Sequence, residues 1–109
     1  MPTKIAVIGA GMMGGAIVKS LIKGGYKGKI TAADAMQTRI VEMEKIGVAG
    51  TTDNRKAVAE SDIIFIVVKP GDEEKVLKET SKELKGKLVV SVAATVPLAF
   101  LKKKAAVSF

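Results

Sequence analysis

Three glycines stand at the spacing G-x-G-x-x-G within the stretch IAVIGAGMMGGAIVKSL: Gly9, Gly11 and Gly14. That spacing suits an anion. A turn free of Cβ atoms lets main-chain N–H groups come close to a phosphate, and a helix opening at the loop adds the positive end of its dipole. Twenty residues beyond Gly14 stands Asp34, where a dinucleotide fingerprint places the acid that accepts hydrogen bonds from both ribose hydroxyls. Arg39, about one helical turn further on, suits a 2′-phosphate instead. The two residues ask for different cofactors, NAD(H) and NADP(H), and the sequence leaves the choice open. The plainer alternatives are a packing turn for the glycines, a helix N-cap for Asp34 and a solvated helix face for Arg39. Lys69 ends an apolar run and offers a cation where open parallel sheets bind ligands; a lysine leaving a strand for solvent is the simpler account of it.

What the chain lacks bounds the remaining chemistry. Its 109 residues include no cysteine and no histidine. Disulfides, thiol chemistry, the usual zinc ligands and an imidazole acid–base are therefore excluded, and no metal site is expected. The formal charge of +7 comes almost wholly from lysine, since Arg39 and Arg55 are the only arginines. The lysines are spread along the chain apart from Lys102–Lys104, and aromatic residues make up only 4%. That leaves no stacking platform for a nucleic acid, and a solvated basic surface is the reading. The run IIFIVV is far too short to cross a bilayer. The sequence reads as one soluble, cytoplasmic domain over residues 1–109.

Positioning these residues requires strands and helices in alternation. KIAVIG (4–9) is a short buried strand, and a helix follows from Gly11 to about Lys23, stopped by Gly24 and Gly25. KITAAD (29–34) is a second strand. Met36, Ile40 and Met43 mark one face of the next helix, which ends near Gly47. VAG (48–50) is a brief third strand, and TTDN (51–54) caps a short helix through Ala57 and Val58. DIIFIVV (62–68) is a strong strand broken by Pro70-Gly71. A helix with acids in its first turn then runs to Leu84 and stops at Gly86. KLVVSVA (87–93) is another strand, Pro97 is placed to open a helix, and AAVSF (105–109) begins one more strand. Such alternation implies right-handed crossovers and an α/β fold, a doubly wound parallel sheet of Rossmann type with helices on both faces.

GAGMMGGAIVKSL, TTDN, DIIFIVVKP and LVVSVAATVPL, in this order and spacing, resemble the N-terminal dinucleotide-binding domain of the pyrroline-5-carboxylate reductases. The resemblance covers essentially the whole chain. Its most specific part is VVKP (67–70), where related hydroxyacid dehydrogenases usually carry Leu-Pro; Ser91, Ala93 and Ala94 add to it. It implies NAD(P)H-dependent reduction of the cyclic imine 1-pyrroline-5-carboxylate to proline, by hydride transfer to the carbon of its C=N bond. It places Gly9, Ala10, Gly11, Met12, Met13 and Gly14 at the pyrophosphate and Asp34 and Arg39 near the adenosine ribose. Asn54 falls near the adenine, Val68, Lys69 and Pro70 beside the nicotinamide ribose, and Ala93 and Ala94 beside the nicotinamide. It names no catalytic residue.

The chain departs from the family at three points. Met12 replaces a usual asparagine and Thr95 a usual glycine. The family's Pro-Asn-Thr-Pro segment and its C-terminal helical domain, which dimerises and completes the substrate pocket, are absent from the 109 residues. The sheet is accordingly expected to end early, and the chain to form a homo-oligomer through AAVSF. A non-catalytic NAD(P)-binding module or interaction domain is the alternative to a reductase.

Overall fold

The computed structural model describes residues 3–92. Five strands alternate with four helices: β1 (Ile5–Ile8), α1 (Met12–Lys23), β2 (Ile30–Ala33), α2 (Gln37–Lys45), β3 (Ala49–Thr51), α3 (Asn54–Ala59), β4 (Ile63–Ile66), α4 (Pro70–Glu79) and β5 (Leu88–Ser91). The strands form one sheet in the order β3-β2-β1-β4-β5, and every pairing is parallel. This is the doubly wound, Rossmann-type sheet expected from the sequence.

The central strands explain themselves. β1 (IAVI) and β2 (ITAA) are buried at every position, as strands covered on both faces must be. Along β1 the side chains alternate between two separate cores. Ile5 and Val7 join Val18 of α1 and Met43 of α2 on one face. Ala6 and Ile8 join Val58 of α3 and Val76 of α4 on the other. Ile8, Ile64 and Ile66 are among the largest fully buried side chains, and each contributes about 1.5–3 kcal/mol by leaving water. A change such as Ile8→Ala would open a cavity at the centre of the sheet.

The helix ends follow local chemistry. Gly24 caps α1, Gly25 takes φ +85°, and Gly47 takes φ +87° just past α2, conformations that favour glycine. Asp53 caps α3, as TTDN suggested. One expected boundary is corrected. The helix after Pro70-Gly71 stops at Glu79 rather than Leu84, and turns carry the chain to Gly86. Thr80 is fully buried and its hydroxyl donates back to the Val76 carbonyl at 2.8 Å, a local bond that competes with continuing the helix. Leu84 still packs on the second core, from the turn segment. The helix expected at Pro97 and the strand expected at AAVSF lie outside the described residues. No helix among the described residues is long and apolar enough to cross a membrane.

Candidate functional site

The register of the sheet brings several strand ends to one level. Ile8 pairs with Ala33 on one side and with Ile66 on the other, and Ile66 pairs with Ser91. The residues that follow therefore leave the sheet side by side. After β1 the chain turns to α1 on one face, and after β4 it turns to α4 on the other. Between them a crevice opens, at the point where open parallel sheets bind their ligands. It measures about 860 Å³.

The glycine loop forms its floor. Gly9, Gly11, Met12, Met13 and Gly14 all line the crevice. Two of the glycines are required by packing. Gly9 has φ +100° and lies against the Val67 carbonyl, and a Cβ on Gly14 would overlap the Gly9 carbonyl. Gly11 is different. Its backbone is extended, at φ −74° and ψ −156°, and a Cβ there would meet only the movable guanidinium of Arg39, at 3.3 Å. Among the described residues nothing rigid calls for glycine at position 11; an approaching ligand would.

Gly11 is also the N-cap of α1. It gives no side-chain hydrogen bond to the helix, and the first turn holds no acidic residue. The N–H groups at the start of a helix have no partners within it and need an acceptor from elsewhere. The electrostatics there favour an anion.

Ala10 lies just behind the loop, buried, and its N–H donates to Asp34 Oδ2 at 2.8 Å. The second oxygen, Oδ1, accepts from the Met36 N–H at 2.8 Å. Arg39 Nη1 adds a contact to Oδ2 at 3.3 Å. Asp34 is thus a tie between the phosphate loop and the turn that leads from β2 into α2. It is not the N-cap of α2, a place taken by Met36. Both Asp34 and Arg39 line the crevice.

The far wall comes from the start of α3, the segment that follows β4, and α4. Asn54, Val68 and Lys69 line it, as expected. Asn54 donates its amide N–H to Glu79 Oε1 at 2.9 Å, and Lys69 is the exposed N-cap residue of α4. Pro70 occupies the first turn of α4, where its missing N–H costs nothing. Ala93, Ala94 and Thr95 lie outside the described residues. The structure adds residues that the sequence reading missed: Asp72, Lys75 and Glu79 of α4, and Met36 before α2. Their signal was the i, i+3, i+7 spacing of 72, 75 and 79 on one helix face. In the sequence alone the acids of the first turn stand only as partners of the helix dipole. Met12 is 95% exposed at the mouth of the crevice.

Comparison with known proteins agrees with this geometry. The model of a family described as "NADP oxidoreductase coenzyme F420-dependent" matches residues 4–95. A pyrroline-5-carboxylate reductase of Methanosarcina acetivorans is 40% identical over 99 residues, which cover 87% of this chain and 37% of that protein. The structure of a pyrroline-5-carboxylate reductase from Coxiella burnetii superposes with a TM-score of 0.80 at 30% identity, over 96% of this chain and 40% of that one. An imine reductase variant from Myxococcus stipitatus, in complex with NAD+, superposes with a TM-score of 0.77 at 28% identity, over 96% of this chain and 38% of that one. The chain thus spans well under half the length of these proteins. The resemblance to the pyrroline-5-carboxylate reductases read from the sequence is borne out.

Proposed function

The chain belongs to this family of NADP oxidoreductases, and from that premise we propose that it is the cofactor-binding domain of a pyrroline-5-carboxylate reductase. One observation carries the proposal: α1 begins without a side-chain cap or an acid, behind a glycine that no rigid neighbour requires, at the switch point of a parallel sheet. The N–H groups of Met12, Met13 and Gly14 would hold the pyrophosphate, with Gly9, Ala10 and Gly11 giving it room. Asp34 and Arg39 stand on the adenosine side, with Asn54 toward the adenine. By the family resemblance Val68, Lys69 and Pro70 would border the nicotinamide ribose, and Ala93 and Ala94, outside the described residues, would belong to the nicotinamide side. When bound, the reduced nicotinamide would supply a hydride to the carbon of the C=N bond in 1-pyrroline-5-carboxylate, with a proton taken up at the nitrogen. The contribution of the residues named is position and exclusion of water.

This chain spans 37% of the length of its Methanosarcina acetivorans relative, and we assign the imine pocket to the part of such proteins that it does not cover. The 109-residue chain should then bind cofactor one-to-one and form proline only slowly. A calorimetric titration with NADPH and NADH, at low and moderate salt, tests the first statement. Failure to bind either would overturn the proposal. Rapid proline formation by the isolated chain would overturn the assignment of the imine pocket. A cytoplasmic homo-oligomer fits the same reading, with its cysteine-free sequence; sedimentation of the purified chain tests its assembly.

A further inference from the structure

We infer that Glu79 of α4 sets which purine the crevice accepts: it turns the amide of Asn54 so that oxygen acceptors meet the base, and a 6-amino purine is selected over a 6-oxo purine. The inference rests on the reading of the crevice as a dinucleotide site. Asn54 Nδ2 donates to Glu79 Oε1 at 2.9 Å, a bond that joins α3 to α4 across 25 residues of chain. Both residues line the crevice. A carboxylate only accepts, so the amide must give it an N–H, and the direction of the amide follows from that. The carbonyl Oδ1 is then on the arm that Glu79 does not hold, and among the described residues no donor reaches it. Oε2 of Glu79 is likewise without a donor there. The ion pair within α4 joins Lys78 to Glu74 and leaves the Glu79 carboxylate to Asn54.

Sheet order gives this pair its place. The glycine loop follows β1, Asp34 follows β2 and Asn54 follows β3, and these three strands are consecutive neighbours in the sheet. Thr51 of β3 is level with Ala33 of β2, and Ala33 with Ile8 of β1. A dinucleotide whose pyrophosphate lies at the loop lays one nucleoside over β2 and β3, the ribose first and the base beyond it. The oxygens of Asn54 and Glu79 therefore stand where that base arrives. The amino group at C6 of adenine carries two N–H donors, one for each residue. A 6-oxo purine brings lone pairs to the same oxygens, one of them on a carboxylate, and acceptors stripped of water then gain no donor.

The test is calorimetry on the full 109-residue chain with NADH and NADPH and with their hypoxanthine counterparts, in which an oxo group replaces the 6-amino group. The parent chain is expected to bind an adenine form at least about tenfold more tightly than its counterpart, the scale of exchanging a donor for an acceptor. Glu79→Ala releases the Asn54 amide, and the ratio should fall to within about threefold. Glu79→Lys goes further. A lysine only donates, so Asn54 would give it Oδ1 and present N–H to the base, and the hypoxanthine form should bind at least as tightly as the adenine form. Glu79 is exposed, so both variants should unfold near the parent's Tm. A role in stability alone would weaken the two forms together and leave their ratio unchanged, which would overturn the inference. Equal affinities in the parent chain would do the same, and tighter hypoxanthine binding there would assign the edge of the base to Lys75, which also lines the crevice. Each of these results leaves the cofactor site standing. Binding of none of the four cofactors by the parent chain would instead overturn the site itself, and this inference with it.

Discussion

At the start of α3, Asp53 turns its carboxylate back onto the N–H groups of Arg55 and Lys56, at 3.0 and 3.3 Å. At the start of α1, Gly11 occupies the same cap position and has no side chain with which to do so. Helix α4 lies between these cases, with no side-chain cap but with Asp72 and Glu73 in its first turn. The difference separates two uses of one element. A six-residue helix such as α3 is too short to persist on its own and needs its cap. The twelve-residue α1 is held by Val18 and its neighbours in the core and can leave its first donors to something outside the fold. Like α2, α1 has neither a side-chain cap nor an acid in its first turn to answer the dipole, and of these two it is α1 that opens directly from the glycine loop.

Three substitutions probe that contrast. The largest effect is expected from Gly14→Ala, whose methyl would overlap the Gly9 carbonyl. Main chain cannot yield as a side-chain tip can, so we expect a loss of about 3 kcal/mol and a fall in Tm on the order of 15 °C. Thermal unfolding followed by circular dichroism reads it; an unchanged Tm would mean that the loop and helix are not packed as described. Gly11→Asp makes α1 resemble α3. The extended backbone at Gly11 accepts any residue, and the new carboxylate can cap the helix, so stability should stay level or rise by a few tenths of a kcal/mol. Cofactor affinity should fall by a hundredfold or more, because a fixed negative charge then occupies the approach of the pyrophosphate. Retained affinity would remove the phosphate from that helix end. The smallest effect belongs to Asp53→Ala, which should cost about 1 kcal/mol of stability and leave cofactor binding within twofold. A large loss of binding there would erase the distinction between the two caps.

Much of this is legible in the sequence. The apolar runs around Ile5–Ile8 and Ile63–Ile66 could only be buried parallel strands, and the glycine spacing located the crevice because it lies between a strand and a helix. Asp34 and Arg39, found by counting from the loop, both line the crevice. Their relation is not legible in this way, because spacing fixes where a carboxylate stands and says nothing of how many donors surround it. The Ala10 N–H that reaches Asp34 is 24 residues away in sequence, and no local pattern encodes it. The end of α4 is hidden in the sequence for a similar reason. Gly86 is a strong stop signal, whereas the hydroxyl bond of Thr80 to Val76 and its burial depend on tertiary packing. The glycines were read as one motif, whereas the structure divides them: Gly9 and Gly14 answer to neighbouring main chain, Gly11 only to a flexible arginine.

The register of β1 carries a consequence for how the chain reaches this structure. Ile5 pairs with Ile30 on one side and with Ile63 on the other, so its two partners are 25 and 58 residues away. Closing the longer loop costs on the order of 0.7 kcal/mol more chain entropy, taking the logarithmic dependence on length. On that account alone the β1–β2 ribbon, with the Asp34 tie to the glycine loop, assembles ahead of the β1–β4 junction. One wall of the crevice is then expected to be in place before the other, an order that φ-values below those of β2 at Ile64 and Ile66 of β4 would support and equal values would overturn.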